Sequence, residues 1–333
     1  MSERLVDAYD LVIFDLDGVI YLIDRPIAGA VEAVGELHRA GVPLAYATNN
    51  ASRRSPEVAD LLTGLGVPAD AGEVLTSAGA SAAVLAQRLP PGSKVLVVGA
   101  EALRAEVRDA GLEPVSAAEE KPAAVVQGYG PQVGWADLAE AAVAIRGGAR
   151  WVATNTDRTL PSPRGPLPGN GSLVAALRTA LGQEPDLIVG KPEPELFAAA
   201  ARRVGAVRPL VVGDRLDTDI EGAVRAGMDS LLVLTGVHGP ADLLAAEPER
   251  RPTYVAADLG GLFETADAAR VPPAEVEGWR LEDGGGPRLT GDGTAIDALR
   301  LLVGLAWSGG DATKVTPDTS AARDALHALG LAA

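Results

Sequence analysis

At 333 residues the chain exceeds one ordinary domain, and 47% hydrophobic but only 4% aromatic residues predict cores built from Ala, Val and Leu. Its 45 acidic against 29 basic residues, a net charge of -16, argue against nucleic acid or an anionic membrane as partner, and the absence of cysteine excludes disulfides, thiolate metal sites and a cysteine nucleophile. Residues 1–10 are charged without an apolar signal region, and no apolar run reaches the length of a membrane span, so a soluble, cytoplasmic protein is expected.

In chain order, residues 10–14, carrying the apolar run Leu11-Val12-Ile13-Phe14, read as a short buried strand covered on both faces, which ends in Asp15-Leu16-Asp17-Gly18. A carboxylate at the carboxyl end of a parallel strand stands where open α/β sheets bind ligands. A helix over 29–40 stops at Gly41, and the next apolar strand, 42–47, runs into Thr48-Asn49-Asn50. A hydroxyl and two amides there can hydrogen-bond an oxyanion without bringing charge, or simply cap a turn. Another helix follows from Ser55 with Pro56 in its first turn.

From about residue 77 the pattern restarts. Helices over 77–89, 100–110, 137–145 and 173–181 alternate with strands over 94–98, 123–127 and 151–153, predicting an α/β module spanning roughly 77–185. The loop 155–172, which follows Thr154, is long enough to be a binding loop. Gly169-Asn170-Gly171 within it matches only part of a dinucleotide fingerprint, and Val174 occupies the third glycine position, so nucleotide binding there is set aside.

The first theme then returns. A strand over 186–189 ends in Gly190-Lys191-Pro192, a helix runs from Pro194 to about Val204, and a strand over 210–212 ends in Gly213-Asp214 followed by Asp217-Thr218-Asp219. Strands over 230–234 and 254–256, the latter before a helix near Leu259, complete the pattern. Four strand ends thus deliver Asp15, Thr48, Lys191 and Asp214 toward what should be one edge of one sheet. Taken singly, each is as readily a cap or a solvated charge; their recurrence points to chemistry. Asp15 and Asp214 suit Mg²⁺, which takes oxygen ligands and substrate phosphate. Lys191 offers a compact positive charge, Thr48 and Asn49 can bind phosphoryl oxygens, Asp15 can attack phosphorus, and Asp17 can serve as acid and base.

These four segments resemble, in order, the four motifs of the haloacid dehalogenase superfamily of phosphatases over about residues 10–265. The resemblance implies a Rossmann-like, doubly wound parallel-sheet core, 1–76 and 186–267, with an inserted α/β cap, 77–185; residues 268–333 fall outside it and are expected to form a small C-terminal appendage. By resemblance Asp15 is the nucleophile, Asp17 the acid/base, Thr48 and Lys191 phosphate binders, and Mg²⁺ is held by Asp15, the Asp17 main-chain carbonyl and Asp214, with Asp219 behind them. The insertion between motifs two and three is the family's type-two (IIa) cap arrangement. Motifs two and four look like the para-nitrophenylphosphatase, phosphoglycolate and glycerol-phosphate phosphatase branch, whose cap closes over the substrate. Asn155, Asp157 and Arg164 are then expected to face the leaving group, or else to hold their loop together. A small phosphomonoester is the expected substrate, glycerol 3-phosphate first, then phosphoglycolate or a nucleotide monophosphate. A phosphotransferase or phosphomutase, and a non-catalytic phosphate binder, are the rival readings.

After residue 268 the sequence predicts a linker at 271–273, a hairpin over 279–290 around Gly284-Gly285-Gly286, and helices over 295–307 and 320–329, with no chemistry of their own. Homo-oligomerisation or regulation is the role such a piece suggests. The three histidines, His38, His238 and His327, read as structural or solvated.

Overall fold

The structure, a computed structural model, describes residues 3–160, 162, 164–283 and 286–331. The chain divides into two compact units, one of residues 1–22, 26–44 and 204–333, the other of residues 23–25 and 45–203. Both have the expected α/β architecture, with parallel strands flanked by helices.

In the first unit the strands Tyr254–Ala256, Asp229–Val233, Pro209–Gly213 and Leu11–Phe14 lie side by side in that order, all parallel. Every residue of Leu11–Phe14 is buried, as four consecutive apolar residues require when both sheet faces are covered. On its other edge the Val12 N–H donates to the Pro43 carbonyl at 3.0 Å. The chain therefore leaves Leu11–Phe14, crosses through the helix Ala30–Arg39 and returns on one side, while Pro209–Gly213 occupies the other. The order of strands reverses at Leu11–Phe14, and such a switch point opens a crevice at the carboxyl ends. Ala30, Ala33, Val34 and Leu37 form the buried stripe of the crossover helix.

Residues 268–333, which the sequence left free to fold alone or to dock on the core, belong to this first unit. The antiparallel pair Trp279–Asp283 and Pro287–Gly291, the helix Ala295–Trp307 and the helix Ser320–Ala328 supply Trp279, Leu289, Leu299, Leu302, Val303 and Leu326 to one apolar cluster. Leu216, Ile220, Leu232 and Val255 of the sheet-bearing part belong to the same cluster. A segment this short is only marginally stable alone, and sharing a core adds apolar burial to it. Arg300, 3% exposed, ties the junction by donating to the Arg270 carbonyl at 3.1 Å and to the Asp267 carbonyl, and it pairs with Asp297 at 2.8 Å. Gly284 and Gly285, expected at the hairpin turn, lie outside the described residues, as do Pro161 and Pro163 of the loop 155–172.

The second unit carries a five-stranded parallel sheet in the order Leu187–Ile188, Arg150–Ala153, Ala124–Gln127, Lys94–Val98, Glu113–Val115. Two apolar clusters cover it, one through Ala82, Leu85, Leu103 and Val107, the other through Ala141, Ile145, Val174 and Leu177. In the same unit Thr48 pairs with Thr76, as Leu44–Thr48 runs parallel to Val74–Thr76. Val74–Thr76 and Glu113–Val115 are strands the periodicity did not predict, because three residues are too few to show alternation. The expected helix near Leu259 is a 3-10 segment, Leu259–Phe263.

Candidate active site

The expected site residues fall in both compact units, and each set has its own geometry. In the first unit Asp15 follows Leu11–Phe14 directly, and its N–H donates to the Val212 carbonyl at 2.9 Å, continuing the ladder that pairs Phe14 with Val212. That register brings the next strand's end, Gly213-Asp214, alongside it. One carboxylate oxygen from each of Asp15, Asp214 and Asp219 lies within 4.8 Å of the others, and the three residues are 9%, 0% and 0% exposed. Asp219, read as standing behind the metal ligands, thus reaches the same cluster as the two carboxylates expected to bind directly.

Backbone donors and glycines hold this cluster. Asp214 Oδ2 accepts the Val237 N–H at 2.6 Å, and its carbonyl accepts the His238 N–H at 3.2 Å. Asp219 Oδ2 accepts the Arg215 N–H at 3.1 Å across the π-helical turn Leu216–Ile220. Gly18, at φ +85°, would set a Cβ 2.5 Å from Asp214 Oδ2, and Gly213 would set one 2.2 Å from the Asp219 Cβ. The room the carboxylates occupy is room that side chains at these positions would fill. The Gly18 carbonyl accepts the Thr235 hydroxyl at 2.6 Å, and the Gly18 N–H donates to the Tyr21 carbonyl at 2.8 Å, fixing the turn that presents Asp17. Asp17 is half-buried and outside the three-carboxylate cluster, a position suited to a proton carrier rather than a side-chain ligand.

Three carboxylates buried this closely repel one another and have lost most of their hydration, so a bound cation is the arrangement that relieves them. Oxygen-only donors select a hard ion, and Mg²⁺ fits. Asp217, in the same acidic run, has another role. Burial pushes its pKa up, but two hydrogen bonds from the Arg215 guanidinium, at 2.9 and 3.0 Å, with that group's charge and His238, hold it below the ordinary carboxylate value. His238 proves structural: its Nδ1 accepts the Leu216 N–H at 3.0 Å beside the acidic turn. Thr235, Gly236 and Val237 escaped the sequence reading, because main-chain donors carry no side-chain signature.

In the second unit Thr48, 3% exposed, ends its strand and accepts the Asn50 N–H at 3.1 Å. Lys191 is 3% exposed, and its Nζ donates to the Ala47 carbonyl at 3.1 Å, which places the ammonium at the end of the Thr48 strand. Asn49 joins the two segments. Its Oδ1 accepts the Lys191 N–H at 2.8 Å, and its Nδ2 donates to the Lys191 carbonyl at 3.1 Å and to the two Asp157 carboxylate oxygens at 3.2 and 3.1 Å. Asn155, 4% exposed, donates to the Asn49 carbonyl at 2.7 Å and accepts the Asp157 N–H at 3.2 Å. The amides of Asn49 and Asn155 are therefore engaged in joining loops. Arg164 is exposed, and its N–H donates to the Ser162 hydroxyl at 3.1 Å.

A family description of haloacid dehalogenase-like hydrolases matches residues 12–113, and a related HAD-hydrolase-like description matches residues 188–262. The chain belongs to the haloacid dehalogenase-like hydrolases and is a phosphoric monoester hydrolase with Mg²⁺ as its cofactor. It is 49% identical over 300 residues to the D-glycerol 3-phosphate phosphatase of Mycobacterium tuberculosis (strain ATCC 25618 / H37Rv), covering 90% of this chain and 83% of that protein. The crystal structure of a glycerol phosphate phosphatase from Mycobacterium tuberculosis in complex with magnesium superposes with a TM-score of 0.92 at 44% identity, over 99% of this chain and 100% of that one. A 5'-nucleotidase of Bacillus subtilis (strain 168) is 39% identical over 69% of this chain and 88% of its own length. A 4-nitrophenylphosphatase from Thermotoga maritima matches with a TM-score of 0.72 at 32% identity, over 78% of this chain and 98% of that one. Among the described residues no helix is long and apolar enough to cross a membrane.

Proposed function

We propose that this chain hydrolyses glycerol 3-phosphate, with Asp15 as nucleophile, Asp17 as acid and base, and Thr48 and Lys191 on the phosphoryl oxygens. The carrying observation is the convergence of Asp15, Asp214 and Asp219 within 4.8 Å at neighbouring strand ends. The choice of ester rests on the glycerol 3-phosphate phosphatase likeness, which in sequence extends over 90% of this chain where the nucleotidase match spans 69%. Residues 1–76 and 186–267 are taken as the hydrolase core, 77–185 as the cap, and 268–333 as a support for the core rather than a catalytic part. The same reading puts the enzyme in the cytoplasm, acting on a dissolved small ester; self-association is left to the 268–333 segment.

In the reaction an Asp15 oxygen attacks phosphorus in line with the departing alcohol. The new O–P bond forms as the ester P–O bond breaks, and Asp17 gives its proton to the leaving alkoxide. Asp17 then takes a proton from water, the water oxygen attacks phosphorus, and the Asp15–phosphorus bond breaks to release inorganic phosphate. Asp15, Asp214, Asp219 and the Asp17 main-chain carbonyl would hold Mg²⁺, which would supply the positive charge that offsets repulsion between the carboxylates and the anionic ester.

Free-phosphate release should be measured with Mg²⁺ across glycerol 3-phosphate, 2-phosphoglycolate, a nucleoside 5'-monophosphate and a sugar phosphate, without any acceptor alcohol. The highest kcat/KM is expected for glycerol 3-phosphate. A clear preference for the nucleotide would shift the assignment to that ester, which the 5'-nucleotidase likeness makes the second reading. Turnover only when an acceptor hydroxyl is added would make the enzyme a phosphotransferase.

A further inference from the structure

Asp157 lies in a loop of the second unit, and its surroundings tie it to Lys191 rather than leaving it open. Its carboxylate accepts Asn49 Nδ2 at 3.1 and 3.2 Å. The same Asn49 amide brackets the Lys191 peptide, accepting its N–H at 2.8 Å and donating to its carbonyl at 3.1 Å. An ionised acceptor strengthens and orients the amide that donates to it, and the polarised amide carbonyl then accepts more strongly from Lys191. Gly190 permits the approach: a Cβ there would stand 2.6 Å from Asn49 Oδ1 and 2.5 Å from the Thr154 carbonyl.

The segment Gly169-Asn170-Gly171 holds the Asp157 loop from behind. The Gly171 N–H donates to the Asp157 carbonyl at 2.8 Å, and the Gly169 N–H donates to the Arg158 carbonyl at 2.9 Å. Added Cβ atoms at Gly169 and Gly171 would meet the Asp157 and Thr156 carbonyls at 2.4 and 2.1 Å. Asn170, 1% exposed, donates to the Asn155 carbonyl at 2.8 Å and to the Gln127 carbonyl at 3.2 Å. The two glycines that look like a broken dinucleotide fingerprint are there for close backbone approach to this loop.

We infer that Asp157 is a positioning residue that acts through Asn49 to set the place of Lys191, so that this loop governs affinity for the phosphoryl group rather than choice of alcohol. The inference rests on Lys191 binding phosphate, as proposed above. Replacing the carboxylate frees the Asn49 amide, and the lysine that follows it shifts, a displacement that weakens every ligand sharing the phosphoryl group and none preferentially.

The test compares Asp157→Ala and Asp157→Asn with the parent enzyme, measuring KM for glycerol 3-phosphate and 4-nitrophenyl phosphate and the competitive Ki of inorganic phosphate, which has no leaving group. Asp157→Ala is expected to raise all three by one common factor, roughly tenfold or more. Asp157→Asn, which keeps an oxygen for Asn49 Nδ2, should recover most of that loss. In an Asn49→Ala background the Asp157→Ala change should add little, because the two act as one unit. Thermal unfolding of each variant separates misfolding from misplacement, and the conservative Asn variant carries the test if the Ala variant is unstable. A selective loss on one ester with an unchanged phosphate Ki overturns the inference and makes Asp157 a leaving-group contact. Lys191→Met distinguishes the layers: an unchanged phosphate Ki there removes Lys191 from the phosphate site and the inference with it, whereas a raised Ki with no effect of Asp157→Ala removes the linkage alone.

Discussion

A Cβ on Gly236 would stand 1.9 Å from Oδ2 of Asp214 and 2.5 Å from its Cγ. The carboxylate rests on bare backbone, held there by the Val237 N–H at 2.6 Å. Gly236→Ala must therefore push Asp214 out of the three-carboxylate cluster. We expect kcat/KM to fall about a hundredfold with secondary structure unchanged. A variant with parental Mg²⁺ dependence would show that Asp214 tolerates the displacement.

The carboxylate cluster predicts opposite effects on stability and on metal response. Without a cation, Asp15, Asp214 and Asp219 repel one another in a buried space. Asp219→Asn should raise the Tm of the metal-free protein, and it should shrink the rise in Tm that added Mg²⁺ produces in the parent. Differential scanning fluorimetry with and without chelator reads both, and activity should vanish on chelation and return with Mg²⁺. A destabilised apo variant would mean that the cluster is already neutralised by protons.

In the proposed mechanism, proton transfer to the leaving group separates Asp17 from Asp15. Asp15→Asn should abolish turnover of every ester, since no covalent adduct forms. With Asp17→Asn the loss should be about ten- to a thousandfold larger on alkyl esters, whose alkoxides need a proton to leave, than on 4-nitrophenyl phosphate. Steady-state kinetics on the two ester types decides it, and equal losses would remove the acid role.

Away from the site, Tyr9 sets an alkaline limit. Its hydroxyl lies 2.8 Å from Asp229 Oδ2 and 3.0 Å from the Tyr254 hydroxyl, and burial, then these two partners, push its pKa far above the usual 10.0. A phenol harder to ionise when folded than when unfolded contributes stability that is fully present below pH 10 and is lost as pH climbs above it toward the folded value. Urea unfolding between pH 8 and pH 11 (roughly, the span around a free phenol's pKa) should show a fall in stability that Tyr9→Phe reduces. A parallel fall in both proteins would assign the loss to other groups.

Much of this protein is legible along the chain. Continuous apolar runs marked Leu11–Phe14, Lys94–Val98, Ala124–Gln127 and the centre of Pro209–Gly213 as buried parallel strands, because a sheet covered on both faces admits no polar alternation. Asp15, Thr48, Lys191 and Asp214, each at the end of an expected strand, pointed to a phosphate and Mg²⁺ chemistry through their types and their order. Three-residue strands such as Val74–Thr76 stayed hidden, since so few side chains carry no period.

Other features depend on residues far apart in sequence. That Asp219 joins Asp15 and Asp214 follows from a π-helical turn, which no local propensity announces. That 268–333 shares a core with the Leu216 and Ile220 turn is a matter of which apolar faces meet, and an amphipathic helix does not name its partner. The partners of Asn49 and Asp157 were invisible for the same reason: a polar side chain shows what it can bond, and only its neighbours in space show what it does bond. The chain by itself thus settled the kind of chemistry, which residue types dictate, while the tertiary structure alone decided which of these groups meet in space and which bond to one another, because that depends on contacts between residues far apart in sequence.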